Sequence, residues 1–454
     1  MRKKILSQAS LFDQAIELLM SVFKPDKKLQ KMDYIIKANP SIIKLVHSDL
    51  TEGIKEAGSS GISAEQVLRS AILKQQKSYS YRELRERIHD GIFFRWFTRF
   101  YSAKIPHYTT FQKSIKSISS ESWNKINEVL VNYSKSEKIE DGKSVRVDTT
   151  VVESNIAYPI DARLLNDSIR ILTRIMERCR MAIPTLHFSF SKRTKRSKKL
   201  CYKIVMVKGS KAAERRYGLY KDLLKISKEV RRMAIACSNE LQNSPHTEVF
   251  LFNNELSKHI KLLSIAINQC ERRILKGEAV PASEKIVSIF EEHTDIIKRG
   301  KSQCPTEFGH KVLIATGKSG IITHYQSFRG NPCDGSMLSE ILMTHEKMYG
   351  QSPRNLAGDR RFFSFDNENL AYEKGVAKVS ICKPGYRSKA RRELEKQGWF
   401  KKLQRFRAGV EGIISGLMRS YGLKRCLWKG WDSFQKYVGL SVVTFNLQKI
   451  ATLL

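Results

Sequence analysis

Apolar positions recur at helical spacing through most of the first third of the chain. Ser63-Ala64-Glu65 opens one such stretch with a cap-like serine, and Val67, Leu68, Ala71 and Ile72 follow on one face. Lys77-Ser78-Tyr79-Ser80 breaks it, and a second helix is predicted from Tyr81 to about Ile88. An aromatic cluster follows (Phe93, Phe94, Trp96, Phe97, Phe100, Tyr101). Ile105-Pro106-His107-Tyr108 then reads as a turn into another capped helix. The pattern changes at Asp141-Gly142. Ser144 to Val152 is a β-branched run that reads as a buried strand. From about residue 161 to 300 the helical period returns, with Leu164, Leu165, Ile169, Leu172 and Ile175 on one face and no strong strand.

After residue 305 strands reappear. His310–Thr316 and Ile321–Phe328 flank Gly317-Lys318-Ser319-Gly320, a hairpin signal. Met337–Tyr349 reads as a helix, Arg354–Asp359 and Gly375–Cys382 as short strands, 389–425 as mainly helical, and Phe434–Leu453 as a closing apolar helix. The whole describes an α/β core interrupted by a long helical insertion and preceded by an all-α region.

Charge sharpens this picture. The 454 residues carry 81 Lys and Arg against 45 Asp and Glu, a net charge of +36. A surplus spread along the whole length implies a polyanionic partner, and nucleic acid fits better than a membrane surface. With 41% hydrophobic residues a packed core is expected. No apolar run approaches the ~18 residues of a membrane span, and the segment after Met1-Arg2-Lys3-Lys4 is too polar for a signal sequence. Eight scattered cysteines with no CxxC pair argue against a zinc ribbon or disulfide framework and fit a reducing cytoplasm. Cys304 and His310 lie close in sequence, but two such residues do not make a metal site. The short N-terminal helices with basic faces are compatible with a helix-turn-helix or, equally, with a solvated helical bundle. The run Ser191–Lys199 reads as a solvated or flexible stretch, with phosphate contact as the sharper alternative.

Three acids stand out by context. Asp148 lies inside the Val-rich strand, where a carboxylate is costly to bury without a partner. Asp359 ends a strand, before Arg360-Arg361-Phe362-Phe363. Glu411 falls off the apolar face of its helix (Leu403, Phe406, Val410, Ile413, Ile414, Leu417, Tyr421). Arg407 stands one turn before it, and Gly409, Gly412 and Gly416 suggest close approach of a backbone or ligand. Three carboxylates from two strands and a helix can supply the oxygen ligands that magnesium takes, and two such ions can drive phosphoryl transfer. Simpler roles stand beside this one. Asp148 could pair with an arginine, Asp359 could cap the next segment, and Glu411 could pair with Arg407. Glu153, Asp161, Asp334 and Asp366 are rival acids.

At these residues the chain resembles a bacterial insertion-sequence transposase of the D-D-E class, ISNCY-like group. Val147-Asp148-Thr149-Thr150-Val151-Val152-Glu153-Ser154-Asn155, continuing to Asp161-Ala162-Arg163-Leu164-Leu165, is similar to the family's first-Asp motif. Ala357-Gly358-Asp359-Arg360-Arg361-Phe362-Phe363-Ser364 resembles the second-Asp motif, with Arg361 where Gly is customary. Arg407-Ala408-Gly409-Val410-Glu411-Gly412-Ile413-Ile414-Ser415 resembles the Glu motif. Gln404 and Met418 stand where related groups carry an auxiliary Tyr and Lys.

The resemblance implies an RNase H-like catalytic core formed by 139–160 with 301–454. It also implies a helical DNA-binding region at 1–138 and a helical insertion at 161–300. It further implies metal ligation by Asp148, Asp359 and Glu411 (Mg²⁺, with Mn²⁺ as a substitute); Arg407, one turn before Glu411, is separately expected to act in catalysis by contacting the scissile phosphate or by orienting Glu411. The partners would be double-stranded DNA, as terminal inverted repeats and target, and a second copy of the chain when two ends are paired. The location would be the bacterial cytoplasm. A DNA-binding relative without catalysis, and a metal-dependent nuclease without a joining step, are the alternatives.

Overall fold

A computed structural model describes residues 3–4, 11–23, 26–52, 61–242, 249–298 and 305–454. Cys304 lies outside them. Among the described residues eight helices come first: α1 (Leu11–Phe23), α2 (Lys27–Ala38), α3 (Ser41–Thr51), α4 (Ala64–Gln76), α5 (Tyr81–Asp90), α6 (Ile92–Thr98), α7 (Tyr108–Ser117) and α8 (Ser120–Ser136). Local chemistry sets several of their starts. Ser63 caps α4 in a capping box, its hydroxyl accepting from Gln66 N at 3.2 Å while Gln66 Oε1 accepts from Ser63 N at 2.9 Å. Ser80, inside the segment that ends α4, opens α5 through the same reciprocal pair with Glu83. The cap expected at α7 is not formed. His107 occupies that position without bonding the helix backbone, and its ring meets Thr109 Oγ1 at 2.9 Å instead.

Trp96, Phe97 and Phe100 of the aromatic cluster are buried, with Phe100 edge-to-face on Phe111 at 5.7 Å. Beneath them lies an ionic network absent from the sequence reading. Arg69 meets Asp33 at 2.7 Å and Glu65 at 2.8 Å, and Arg99 meets both acids. Burial works to raise the Asp33 carboxyl, but Arg69 and Arg99 hold it below its ordinary value. Part of the N-terminal positive charge is therefore spent internally.

The strands are β1 (Ser144–Ser154), β2 (Asp295–Lys298), β3 (Thr306–Thr316), β4 (Ile322–Phe328), β5 (Asn355–Gly358), β6 (Lys378–Ile381) and β7 (Arg425–Cys426). The later helices are α9 (Asp161–Ala182), α10 (Thr194–Met206), α11 (Ala212–Gln242), α12 (Val249–Cys270), α13 (Leu338–Tyr349), α14 (Phe365–Glu373), α15 (Lys389–Lys396), α16 (Gly398–Ser420) and α17 (Trp431–Leu453). Two compact units result, residues 1–153 with 310–454, and residues 154–309.

In the first unit the sheet runs β4-β3-β1-β5-β6, with β7 also on β1. β5 is parallel to both β1 and β6, while β3 and β4 form the expected antiparallel hairpin. Its turn closes through Gly317 N to Ile321 O at 3.1 Å, with Gly320 at φ +83°, a conformation that favours glycine. Alternation sorts the strands between two layers. Val145, Val147, Leu313 and Ala315 pack with Leu338, Ile341 and Leu342 of α13. Val152, Val312 and Ile314 share a core with α8, α17 and the Val410 and Leu417 positions of α16. Helices dominate the molecule, and this mixed sheet carries the strand signals of the sequence.

The second unit closes its own core, including Leu165, Ile169 and Leu172 of α9, Leu223 and Val230 of α11, and Leu263 and Ile267 of α12. One expectation is corrected here and another is refined, since Lys195, Arg196, Lys198 and Lys199 are exposed as a solvated run would be. β2 is a strand inside the region read as helical, paired antiparallel with Thr306–Gly309. The basic run is helical from Thr194 onward. Arg193 is paired with Glu229 and Lys192 with Glu177, and Ser197 is buried with its hydroxyl on Asn166 Oδ1 at 2.7 Å. Among the described residues no helix is long and apolar enough to cross a membrane.

Candidate active site

β1 and β5 run parallel in register from Ser144↔Asn355 to Val147↔Gly358. Asp148 and Asp359 are each one residue further on. They stand side by side where the pairing of the two strands stops, at the carboxyl end of β5, while β1 runs on to Ser154. That position resolves the cost of a carboxylate in a strand. Asp148 stays in β1 but lies just beyond its pairing with β5, its side chain is 15% exposed, and its Oδ1 accepts from Thr149 N at 2.7 Å. Asp359 Oδ1 accepts from Arg360 N at 2.8 Å and so caps the short turn Arg360–Phe362. The capping role weighed from sequence is therefore real.

Arg146 and Asp148 share the strand face that looks toward α16. Arg146 fixes the helix. Its Nε donates to Thr316 Oγ1 at 2.8 Å and its Nη1 to Phe406 O at 2.7 Å, and the guanidinium sits 4.7 Å from the Phe406 ring. Burial lowers the Arg146 pKa against the opposing pull of Glu140. Gly409 lets the helix come this close, since a Cβ there would lie 2.2 Å from Arg146 Nη1. The close approach expected at three glycines occurs at this one. Gly412 and Gly416 face open space. A second tie comes from Gln404, whose Nε2 donates to Ser380 O of β6 at 2.7 Å.

So held, α16 presents Arg407 and Glu411. Arg407 Nη2 donates to Glu411 Oε1 at 3.0 Å, and Nη1 lies 3.6 Å from Asp148 Oδ2. One guanidinium thus bridges the strand acid and the helix acid. Its Nε is buried and without a hydrogen-bond partner. The Glu411 side chain is 64% exposed. Among the described residues no three His, Cys, Asp or Glu side chains are gathered closely enough to hold a metal ion. Asp148 and Asp359 are neighbours by strand register, and Glu411 joins Asp148 through Arg407.

The rival acids are engaged elsewhere. Glu153 pairs with Arg425 at 2.7 Å, and Asp161 with Arg273 at 2.7 Å. Asp334 is buried, bonded to Lys311 at 2.6 Å and to the Thr149 hydroxyl at 3.0 Å. Asp366 is exposed in the first turn of α14, where the helix dipole favours it. Sequence reasoning missed Arg146, Lys311 and Gln404 as the groups that set the site. Arg146 and Lys311 carry the signal that marked Asp148, a charge within an otherwise apolar strand. Gln404 carries none.

Comparison with known proteins bears on this arrangement. Residues 17–117 match the family described as Transposase domain (DUF772). Residues 373–451, which include Arg407 and Glu411, match the Transposase DDE domain family. Asp148 and Asp359 lie between the two matched stretches. No curated protein and no solved structure matches the chain. The helical N-terminal match and the DDE match at the helix that carries Glu411 define a DNA transposase. More particularly, the two matches support a DDE transposase of the insertion-sequence kind.

Proposed function

We propose that this transposase cleaves and joins DNA at the terminal inverted repeats of its element, using Asp148, Asp359 and Glu411 as ligands for divalent metal and Arg407 as a catalytic partner. The observation that carries the proposal is the Arg407 bridge between Asp148 and Glu411, beside a second acid at the same level of the adjacent strand. The donor set is all carboxylate oxygen, which suits Mg²⁺ or Mn²⁺ rather than a softer metal. Bound there, such an ion would activate the attacking oxygen and stabilise the leaving one.

The chain's own residues supply the rest. Asp148 and Asp359 are placed where the pairing of β1 and β5 stops, and Glu411 by the tie of α16 to Arg146 and Gln404. Arg407 neutralises the two acids it bridges, and a guanidinium beside open space is suited to hold a phosphate oxygen. An RNase H-like core over 139–160 and 301–454 is supported by a hairpin on one side of β1, two parallel strands on the other, and the first acid on β1. Residues 1–138 would bind DNA, 161–300 would be an insertion in this core, and paired ends would need at least two copies. Membership of the ISNCY-like group rests on the motif phrases alone.

The test is Asp148→Ala in the full-length protein, mixed with its element's ends and Mg²⁺. End binding is expected to persist while cleavage falls by several orders of magnitude. Cleavage at the wild-type rate would overturn the assignment, and cleavage without any strand-transfer product would leave a metal-dependent nuclease.

A further inference from the structure

Most buried cations of the first unit have carboxylate partners. Arg69, Arg99, Lys311 and Arg391 each contact one. Buried Arg146 is held instead by the Thr316 hydroxyl and the Phe406 carbonyl, whereas buried Lys74, with half-buried Lys116 and exposed Lys429 near it, has neither kind of anchor. Lys74 ends α4 and is 9% exposed, and its ammonium sits 4.9 Å from the Tyr81 ring. Lys116 ends α7 and sits 5.4 Å from the ring of buried Trp428. Lys429 follows that tryptophan and is exposed. Among the described residues no carboxylate lies within ion-pair distance of any of the three. A lysine in the last turn of a helix meets the free carbonyl end, worth about 0.3–1 kcal/mol. That accounts for Lys74 and Lys116 one at a time. It does not account for their convergence, because Lys116 opposes the charge on Lys74 and Lys429 opposes the charge on Lys116. The aromatic faces attract the ammonium groups without neutralising them.

We propose that Lys74, Lys116 and Lys429 form a binding site for a DNA backbone phosphate, walled by Tyr81 and Trp428. Lys74 and Lys116 belong to the N-terminal transposase match and Trp428 and Lys429 to the DDE match, so the site lies where the two meet. It rests on the reading of this chain as an enzyme that acts on DNA. A phosphodiester brings one negative charge and two free acceptor oxygens, which the cluster lacks. The aromatic walls keep water away from the inner cation, so a charge pair there is stronger than on an open surface. The lysines are graded from exposed Lys429 through half-buried Lys116 to buried Lys74, a ramp that a polyanion can approach from outside. Burial and Lys116 push the Lys74 pKa down to about 8, so an arriving anion would draw a proton onto it. Besides Lys116, the titratable groups around this cluster are Tyr81 from α5, Tyr437 from α17, and Cys426 and Lys429 from β7 and its exit.

The experiment measures affinity for a duplex of arbitrary sequence across a range of salt, with wild type, Lys116→Gln and Lys74→Met. Each phosphate contact contributes about 0.9 to the slope of log affinity against log salt. Each variant is expected to lower the slope by about one. Lys74→Met keeps the apolar stem and should melt no lower than wild type. Calorimetry at pH 8 in two buffers gives a second readout. Wild type should take up a fraction of a proton on binding duplex, and Lys74→Met should lose that uptake. Unchanged slope and unchanged proton uptake in folded variants would overturn the proposal. Thermal stabilisation by inorganic phosphate that Lys116→Gln abolishes, with the duplex slope unaltered, would overturn the DNA assignment in favour of a free anion. Wild type that fails to bind duplex at all would sink the enzyme reading instead. Asp148→Ala that binds with the wild-type slope and fails to cut supports the enzyme reading, and the lysine variants then decide the phosphate site.

Discussion

Arg407 is the residue on which the site turns, because it holds two acids from different elements with one guanidinium. Hydrogen bonds to charged groups contribute about 1.5–3 kcal/mol each. Arg407→Ala is therefore expected to lower the cleavage rate by about ten- to a hundredfold or more, with end binding within about twofold of wild type. Turnover equal to wild type in a single-turnover assay would show that the bridge has no part in the chemistry. Asp334 and Lys311 show a contrasting use of charge. Both are buried and answer one another beneath Thr149, one residue from Asp148, which fits a supporting rather than a reacting role.

Among the elements, α17 and α8 form the tightest seam of the first unit. A Cβ at Gly439 would lie 2.6 Å from Trp123 Cβ and 2.8 Å from the Tyr325 hydroxyl. Alanine is preferred over glycine within a helix by about 1 kcal/mol, but forcing a methyl into a packed core costs about 1–3 kcal/mol. The clash is with a Cβ, which cannot swing aside. Gly439→Ala should thus be destabilising on balance, read as a melting temperature lower by a few degrees; a higher one would refute the packing argument. Elements with local signals were legible in the sequence. Ser63 announced α4, the two glycines around Lys318-Ser319 announced the β3–β4 hairpin, and the apolar period announced α17. β2 was not legible, because a four-residue strand is set by its partner Thr306–Gly309 and not by its own residues. The basic run looked like loop because its ion pairs, to Glu177 and Glu229, come from other helices. The three acids could be named from their phrases, but the arginine that joins two of them could be placed only with α16 docked on β1.

At the scale of the molecule, two buried histidines set how stability responds to acid. Burial pushes both His324 on β4 and His345 on α13 down to about 4. Their folded values lie below the ordinary value of about 6.5, so between about pH 6.5 and 4 the unfolded chain binds more protons. The stability that depends on their neutral form is complete above pH 6.5 and is lost as pH falls toward 4, by up to about 1.4 kcal/mol per pH unit for each histidine. Hydrogen exchange at β4 and α13 amides should accelerate from pH 7 to 5 after correction for intrinsic rates. Constant protection over that window would mean the imidazoles are not held neutral. Carboxylates held low by arginines, such as Asp33, act in the same direction at lower pH.

The seam between the early and late helices also sets a clock. Gln75 donates to Ser441 Oγ at 2.9 Å across 366 residues of chain, and Asn446 donates to Asn127 Oδ1 at 2.7 Å across 319. At about 5–20 residues per second of synthesis, α4 waits roughly 20 to 70 seconds for α17, the helix that covers it. The second unit has no such delay, since its core is drawn from one uninterrupted stretch. The newborn chain therefore carries a finished middle between two unfinished ends. Its helical N-terminal face stays open to chaperones and proteases until α17 leaves the ribosome.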